Sequence, residues 1–110
     1  MKILITEDKR YQLTYKILDS ILGGLTRKDV DLNTDTVYSN QQIHFIDEDG
    51  NIVIKWGENS HILYILRDAV LDIGRMFSFD EGELNRIILW WFKDRVGVES
   101  YEVWLVGEID

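Results

Sequence analysis

Gly82-Glu83-Leu84-Asn85-Arg86-Ile87-Ile88-Leu89-Trp90-Trp91-Phe92-Lys93-Asp94-Arg95 is the most apolar stretch of the chain, unbroken from Ile87 through Phe92. Read as a helix, it sets Leu84, Ile87, Ile88, Trp91 and Phe92 on one wide face at spacings of three and four. Arg86 and Lys93 fall on the opposite side, and Leu89 and Trp90 flank the main face. The rival reading is a buried strand, because periodicity alone does not separate short apolar runs. Length and flanks favour the helix. Ser78 or Asp80 caps its start, and Asp80, Glu81 and Glu83 suit the positive end of its dipole. Lys93 and Arg95 suit the negative end, and Gly97 follows as a stop. A helix apolar nearly all round belongs at the centre of a fold, or turns its second face to a partner.

Working outward, the next clear signal is a hairpin. Gln42-Ile43-His44-Phe45-Ile46 and Asn51-Ile52-Val53-Ile54-Lys55-Trp56 flank Asp49-Gly50, which predicts a type I′ turn. Pairing across it sets Phe45 opposite Ile54 and Ile43 opposite Trp56 as the buried face. His44, Ile46, Val53 and Lys55 fall on the other. After the turn cluster Glu58-Asn59-Ser60, a second helix is predicted from His61. Ile62, Ile65, Leu66, Ala69, Ile73, Met76 and Phe77 share its face. Ser100 to Val106 alternates and reads as a closing strand. Near the start, Lys2 to Ile5 reads as a short strand and Thr6 as a cap. Tyr11, Tyr15, Leu18, Leu22 and Leu25 form a helical stripe that Gly23-Gly24 ends. Thr26 to Asn40 is polar and without helical period, a long loop with a strand beginning at Thr36. The predicted order is β-α-β-β-α-α-β. It makes one α+β domain over residues 1–110, a sandwich with an antiparallel or mixed sheet and helices packed on one face.

The opening Ile3-Leu4-Ile5-Thr6-Glu7-Asp8 resembles the N-termini of small uncharacterised accessory proteins of tailed phages. The resemblance covers about the first ten residues and brings no activity or site residues. It implies a viral accessory protein working in the host-cell cytoplasm.

The chain has 12 basic and 20 acidic residues, a net charge of −8, and no cysteine or proline. Residues 1–28 carry six basic and three acidic side chains, whereas residues 29–110 carry six and seventeen. An acidic body repels nucleic acid and membrane surfaces and suits a basic protein partner, including one that itself binds nucleic acid. It also simply keeps a small protein soluble. No apolar run approaches the roughly 20 residues of a membrane span. Without cysteine there are no disulfides or thiolate sites, as suits a cytosolic protein.

Candidate chemistry is sparse. Asp29-Val30-Asp31-Leu32-Asn33-Thr34-Asp35 alternates oxygen side chains, as a hard cation requires. The EF-hand pattern fails, with Thr34 where glycine is needed and Asn40 where the bidentate glutamate belongs. A solvated acidic loop explains the same residues. His44 and His61 lie beside no nucleophile turn, and no phosphate loop, dinucleotide fingerprint or zinc-helix motif occurs. Of four tryptophans, Trp56, Trp91 and Trp104 are assigned to the core. Trp90 points away from the main stripe. With Arg86 one turn back, it either anchors a partner or covers a second core element. The sequence therefore predicts a non-enzymatic protein without cofactor that binds a host protein through Trp90, Arg86 and the hairpin acids Asp47, Glu48 and Asp49. It would inhibit a host or defence factor with a basic surface. The alternatives are a self-assembling structural or virion protein, with a homodimer through Trp90, and a small-molecule or metal-binding module.

Overall fold

The computed structural model describes residues 7–31 and 41–109, without the side chains of Glu7 and Asp8. The strand expected at Lys2–Ile5, the Thr6 cap, the strand from Thr36, and Asn33 and Asp35 lie outside the described residues. In chain order the elements are α1 (Glu7–Gly23), β1 (Thr26–Asp31), β2 (Gln41–Ile46), β3 (Ile52–Gly57), β4 (Ile62–Leu66), α2 (Arg67–Phe77), α3 (Glu81–Val96) and β5 (Glu102–Val106). The five strands form one mixed sheet in the order β1-β2-β3-β4-β5. The first four make an antiparallel meander, and β5 returns through α2 and α3 to pair parallel with β4. This is the expected α+β architecture with two changes of element.

Helix α3 matches the sequence reading closely. Asp80 is its N-cap and accepts from the Glu83 N–H at 2.8 Å, while Gly97 ends it at φ 84° and donates to the Lys93 carbonyl. The left-handed backbone at Gly97 is what a C-terminal glycine supplies without a Cβ clash. Leu84, Ile87, Ile88, Trp91 and Phe92 are all buried, at 5% exposure or less. They meet Ile43, Phe45, Ile54, Trp56, Leu63, Ile65 and Val103 from one sheet face. Phe45 and Phe92 meet edge to face at 6.0 Å. Ser78 plays a different part: it is the left-handed C-cap of α2, and its N–H bonds the Gly74 carbonyl.

The first change is β4. Ile62–Leu66 is a strand, not the first turn of a helix. Its burial alternates, with Leu63 and Ile65 inside. Five consecutive apolar residues satisfy either period, and pairing between β3 and β5 decides it. Helix α2 therefore starts at Arg67 and buries Val70 and Ile73, leaving Met76 exposed. The second change is β1, where a loop is expected. It is an edge strand with five of six residues exposed, and its charged side chains suit an edge because they discourage further pairing.

The hairpin register is as expected, Ile43 with Trp56 and Phe45 with Ile54, but the turn is not type I′. Gly50 alone in the turn has positive φ, and its N–H donates to the Asp47 carbonyl at 3.1 Å. This is a type I turn followed by a left-handed glycine, a three-residue connection. It shifts the pairing by one, so that Ile46 faces Ile52, and a bulge at Val53 restores the register at Ile54. The bulge turns Val53 inward, where it is 8% exposed instead of lying on the outer face.

Helix α1 packs across α2 and α3. Its stripe centres on Leu18 and on Thr14, whose hydroxyl donates to the Arg10 carbonyl at 2.7 Å. Trp91, fully buried, donates its indole N–H to Asp19 at 2.8 Å, and Arg95 grips both carboxylate oxygens of Asp19 at 2.8 and 3.1 Å. Tyr15 donates its hydroxyl to Asp94. No described helix is long and apolar enough to cross a membrane.

Candidate functional site

Three surfaces deserve comparison, and the first is a cavity of about 510 Å3 at one end of the sheet. Strand alternation puts Arg27, Asp29 and Asp31 of β1 on one side of the strand, beside Phe45, Ile43 and Gln41 of β2. The β3–β4 turn closes the cavity from another side. There the Glu58 N–H donates to the Gln41 carbonyl at 2.9 Å and the His61 N–H to the Gly57 carbonyl at 2.8 Å. His61 takes a left-handed backbone, φ 52°, uncommon for a residue with a side chain. Its ring lies between Trp56, 5.7 Å away, and Tyr101, 4.7 Å away. The segment after α3 completes the wall. The Glu99 carbonyl accepts from Trp56 Nε1 at 3.1 Å and lies 3.2 Å from His61 Nδ1.

The lining thus carries four carboxylates, from Asp29, Asp31, Glu58 and Glu99, against one guanidinium, Arg27. Arg27 pairs with Asp29 at 2.9 Å, and Glu99 pairs with Lys93 at 3.3 Å. Counting Arg27 and Lys93 as two cations against four carboxylates, the surroundings of the cavity remain net acidic. Asp29 and Asp31, named as metal ligands with Asn33 and Asp35, therefore belong to a strand rather than an ion-binding loop. Among the described residues no group of three or more His, Cys, Asp or Glu side chains is placed to hold a metal ion. What this arrangement offers is negative charge beside an aromatic wall, which suits a guanidinium or ammonium group.

The second surface holds Trp90. It is 48% exposed and rests its edge on Tyr11 at 6.2 Å. With Tyr11, Gln12 and Tyr15 it lines a small apolar cleft of about 130 Å3 at the seam of α1 and α3. Burial raises the Tyr15 hydroxyl to about 12, helped by its hydrogen bond to Asp94. Arg86 is exposed one turn before Trp90.

The hairpin acids form a third surface, at the opposite end of β2 from the cavity. Asp47 is committed to the turn, where its carboxylate accepts from the Asp49 and Asn51 N–H groups at 2.9 Å each. Glu48 and Asp49 are exposed. Trp90 and Arg86 sit on α3, so the partner-binding residues named from the sequence fall into two separate groups. Trp104, assigned to the core, is instead 49% exposed on the sheet face away from the helices. Val103 and Leu105 take the inward positions of β5.

Sequence reasoning missed the cavity because Asp29 and Asp31 of β1, the Glu58–His61 turn and Glu99 come from three segments far apart in the chain. The available signal was the alternation of Asp29 and Asp31, which an edge strand explains as well as a loop. No protein-family model, curated protein or solved structure matches this chain.

Proposed function

We propose that the protein acts by binding, not catalysis, and that it seats a basic segment of another protein in the acidic cavity. The observation that carries this reading is the convergence of Asp29, Asp31, Glu58 and Glu99 around one concave site with His61 and Trp56 in its wall. An arginine of the partner would find carboxylate oxygens for its N–H groups and a flat ring to lie against. Net charge of −8 speeds the approach of such a partner and repels nucleic acid. In keeping with the phage likeness of the N-terminus, we further propose that the partner is a host or defence factor whose basic surface this protein masks. A protein that normally grips nucleic acid is of that kind.

The test uses a synthetic arginine-rich peptide as probe and compares two variants that each remove two negative charges. Asp31→Asn/Glu58→Gln alters the cavity, and Glu48→Gln/Asp49→Asn alters the hairpin turn. Calorimetry should show affinity falling about tenfold or more for the cavity variant and little for the hairpin variant. The reverse order would move the site to the hairpin. Equal small losses would mean that only overall charge attracts the peptide.

A second reading is favoured by the exposed Trp90. An aromatic anchor beside a small apolar cleft is the usual centre of a protein interface. Trp90→Ala would then weaken partner binding while leaving the arginine peptide unaffected.

A further inference from the structure

The sheet face turned away from the helices has its own pattern, independent of the cavity. Cross-strand partners line up there as Lys28, His44, Lys55, Tyr64 and Trp104, one from each strand. Charge is polarised across this row. The basic groups stand on β1 to β3, and the aromatic rings stand on β4 and β5. Glu102 accepts from the indole N–H of Trp104 at 2.8 Å, and Glu108 follows β5 beside the same rings. Burial first, and then the Lys55 and Lys28 charges, hold the His44 imidazole below its ordinary pKa. Tyr64 and Trp104 meet edge to face at 5.8 Å, and Trp104 is 49% exposed.

We propose that this face binds the same face of a second copy of the chain. A two-fold axis running along the strands, between β3 and β4, would set β3 against the partner's β4 and β2 against the partner's β5. Lys55 then covers the partner's Tyr64, and His44 covers the partner's Trp104. Lys28 reaches beyond the sheet to the partner's Glu108. Each contact occurs twice, as two-fold symmetry requires. Lys55 on Tyr64 is a cation on a ring and Lys28 on Glu108 a cation on a carboxylate, both favourable. The His44 imidazole, held toward its neutral form, stacks on Trp104 as one ring on another. An axis across the strands would instead put Lys28 over its own copy, so the charge pattern selects the arrangement. A single strand of nucleic acid also likes lysines beside stacked aromatics. Glu102 and Glu108 stand beside those same rings and repel phosphates, which favours the second copy. Five strands about 4.8 Å apart and about 17 Å long give a face near 400 Å2 in projection. That is small for a permanent dimer, so association is weak and depends on concentration.

Sedimentation of the full chain across concentrations tests this. Wild type should reach twice the mass of one chain by about 100 μM, and Trp104→Ala should weaken association about tenfold or more. Lys28→Glu/Lys55→Glu and Glu102→Lys/Glu108→Lys should each stay monomeric alone and form a heterodimer when mixed. Far-UV circular dichroism confirms that each variant is folded. A wild type still monomeric at about 1 mM overturns the proposal. So does a Trp104→Ala dimer as tight as wild type, or saturable binding of a labelled oligothymidine to this face.

Discussion

Replacing Asp19 with alanine removes the carboxylate through which α1 holds Trp91 and Arg95 of α3. In the native fold Trp91 is 0% exposed and its indole N–H has Asp19 as acceptor at 2.8 Å. Removing the carboxylate leaves that donor without its acceptor. Because Asp19 is itself 40% exposed, water enters in its place, and the loss falls at the low end of the cost of an orphaned donor, about 1 kcal/mol. The same carboxylate also holds Arg95, but that pair is 44% and 40% exposed and screened. Arg95→Ala should therefore destabilise clearly less than Asp19→Ala. Urea unfolding followed by tryptophan fluorescence measures both, and each kcal/mol moves the melting temperature by about 4 °C. Acidity gives a second readout. The Arg95 guanidinium first, then the Trp91 N–H, holds the folded Asp19 carboxyl below its ordinary 3.8. Its contribution is thus complete above that value and is lost as pH falls through the lower folded value. Asp19→Ala should flatten that part of the acid-unfolding profile. Equal losses for the two variants, or an Asp19→Ala loss under about 0.5 kcal/mol, would refute the assignment of the energy to the buried indole.

Three other outcomes follow from the same structure. Val53→Lys should destabilise by about 2 kcal/mol or more in chemical denaturation, because the bulge points this position into the core. An outward Val53 would tolerate the change. Gly97→Ala, at φ 84°, should cost about 1 kcal/mol by forcing a Cβ into left-handed backbone, measured by thermal melting. Tyr15 should ionise near pH 12 in an ultraviolet titration. Stability should be unaffected below the unfolded tyrosine value of about 10 and should decline as pH rises from there through the folded value.

The sequence was most legible where independent signals agreed. In α3 the cap, the apolar spacing, the charges and the terminal glycine all specify the same element. The Ile43–Trp56 and Phe45–Ile54 pairs were legible because one buried face permits one register, even though turn and bulge together produced it. Legibility failed where one signal fitted two structures. Ile62–Leu66 satisfies both periods, and only its neighbours in the sheet choose. Thr26–Asp31 lacks an apolar face because an edge strand needs none. Trp104 sits among β-formers on both sides of β5, so alternation did not say which set faces inward. For the cavity, no local pattern existed: its carboxylates are brought together by tertiary folding. The two groups named around Trp90 and the hairpin turn were chosen residue by residue, and their separation depends on the path of the chain between them.

The parallel joint between β4 and β5 has a consequence for synthesis. Every other pairing in the described sheet links neighbouring strands of the meander. Leu63 and Ile65, by contrast, acquire their flanking strand only after α2, α3 and residues 102–106 have left the ribosome. Until then β4 is an unpaired apolar edge, the kind of surface that recruits other chains. Residues 102–106 are thus the ones that close the sheet, and a chain interrupted before them would carry the four-stranded meander with the apolar edge of β4 still open.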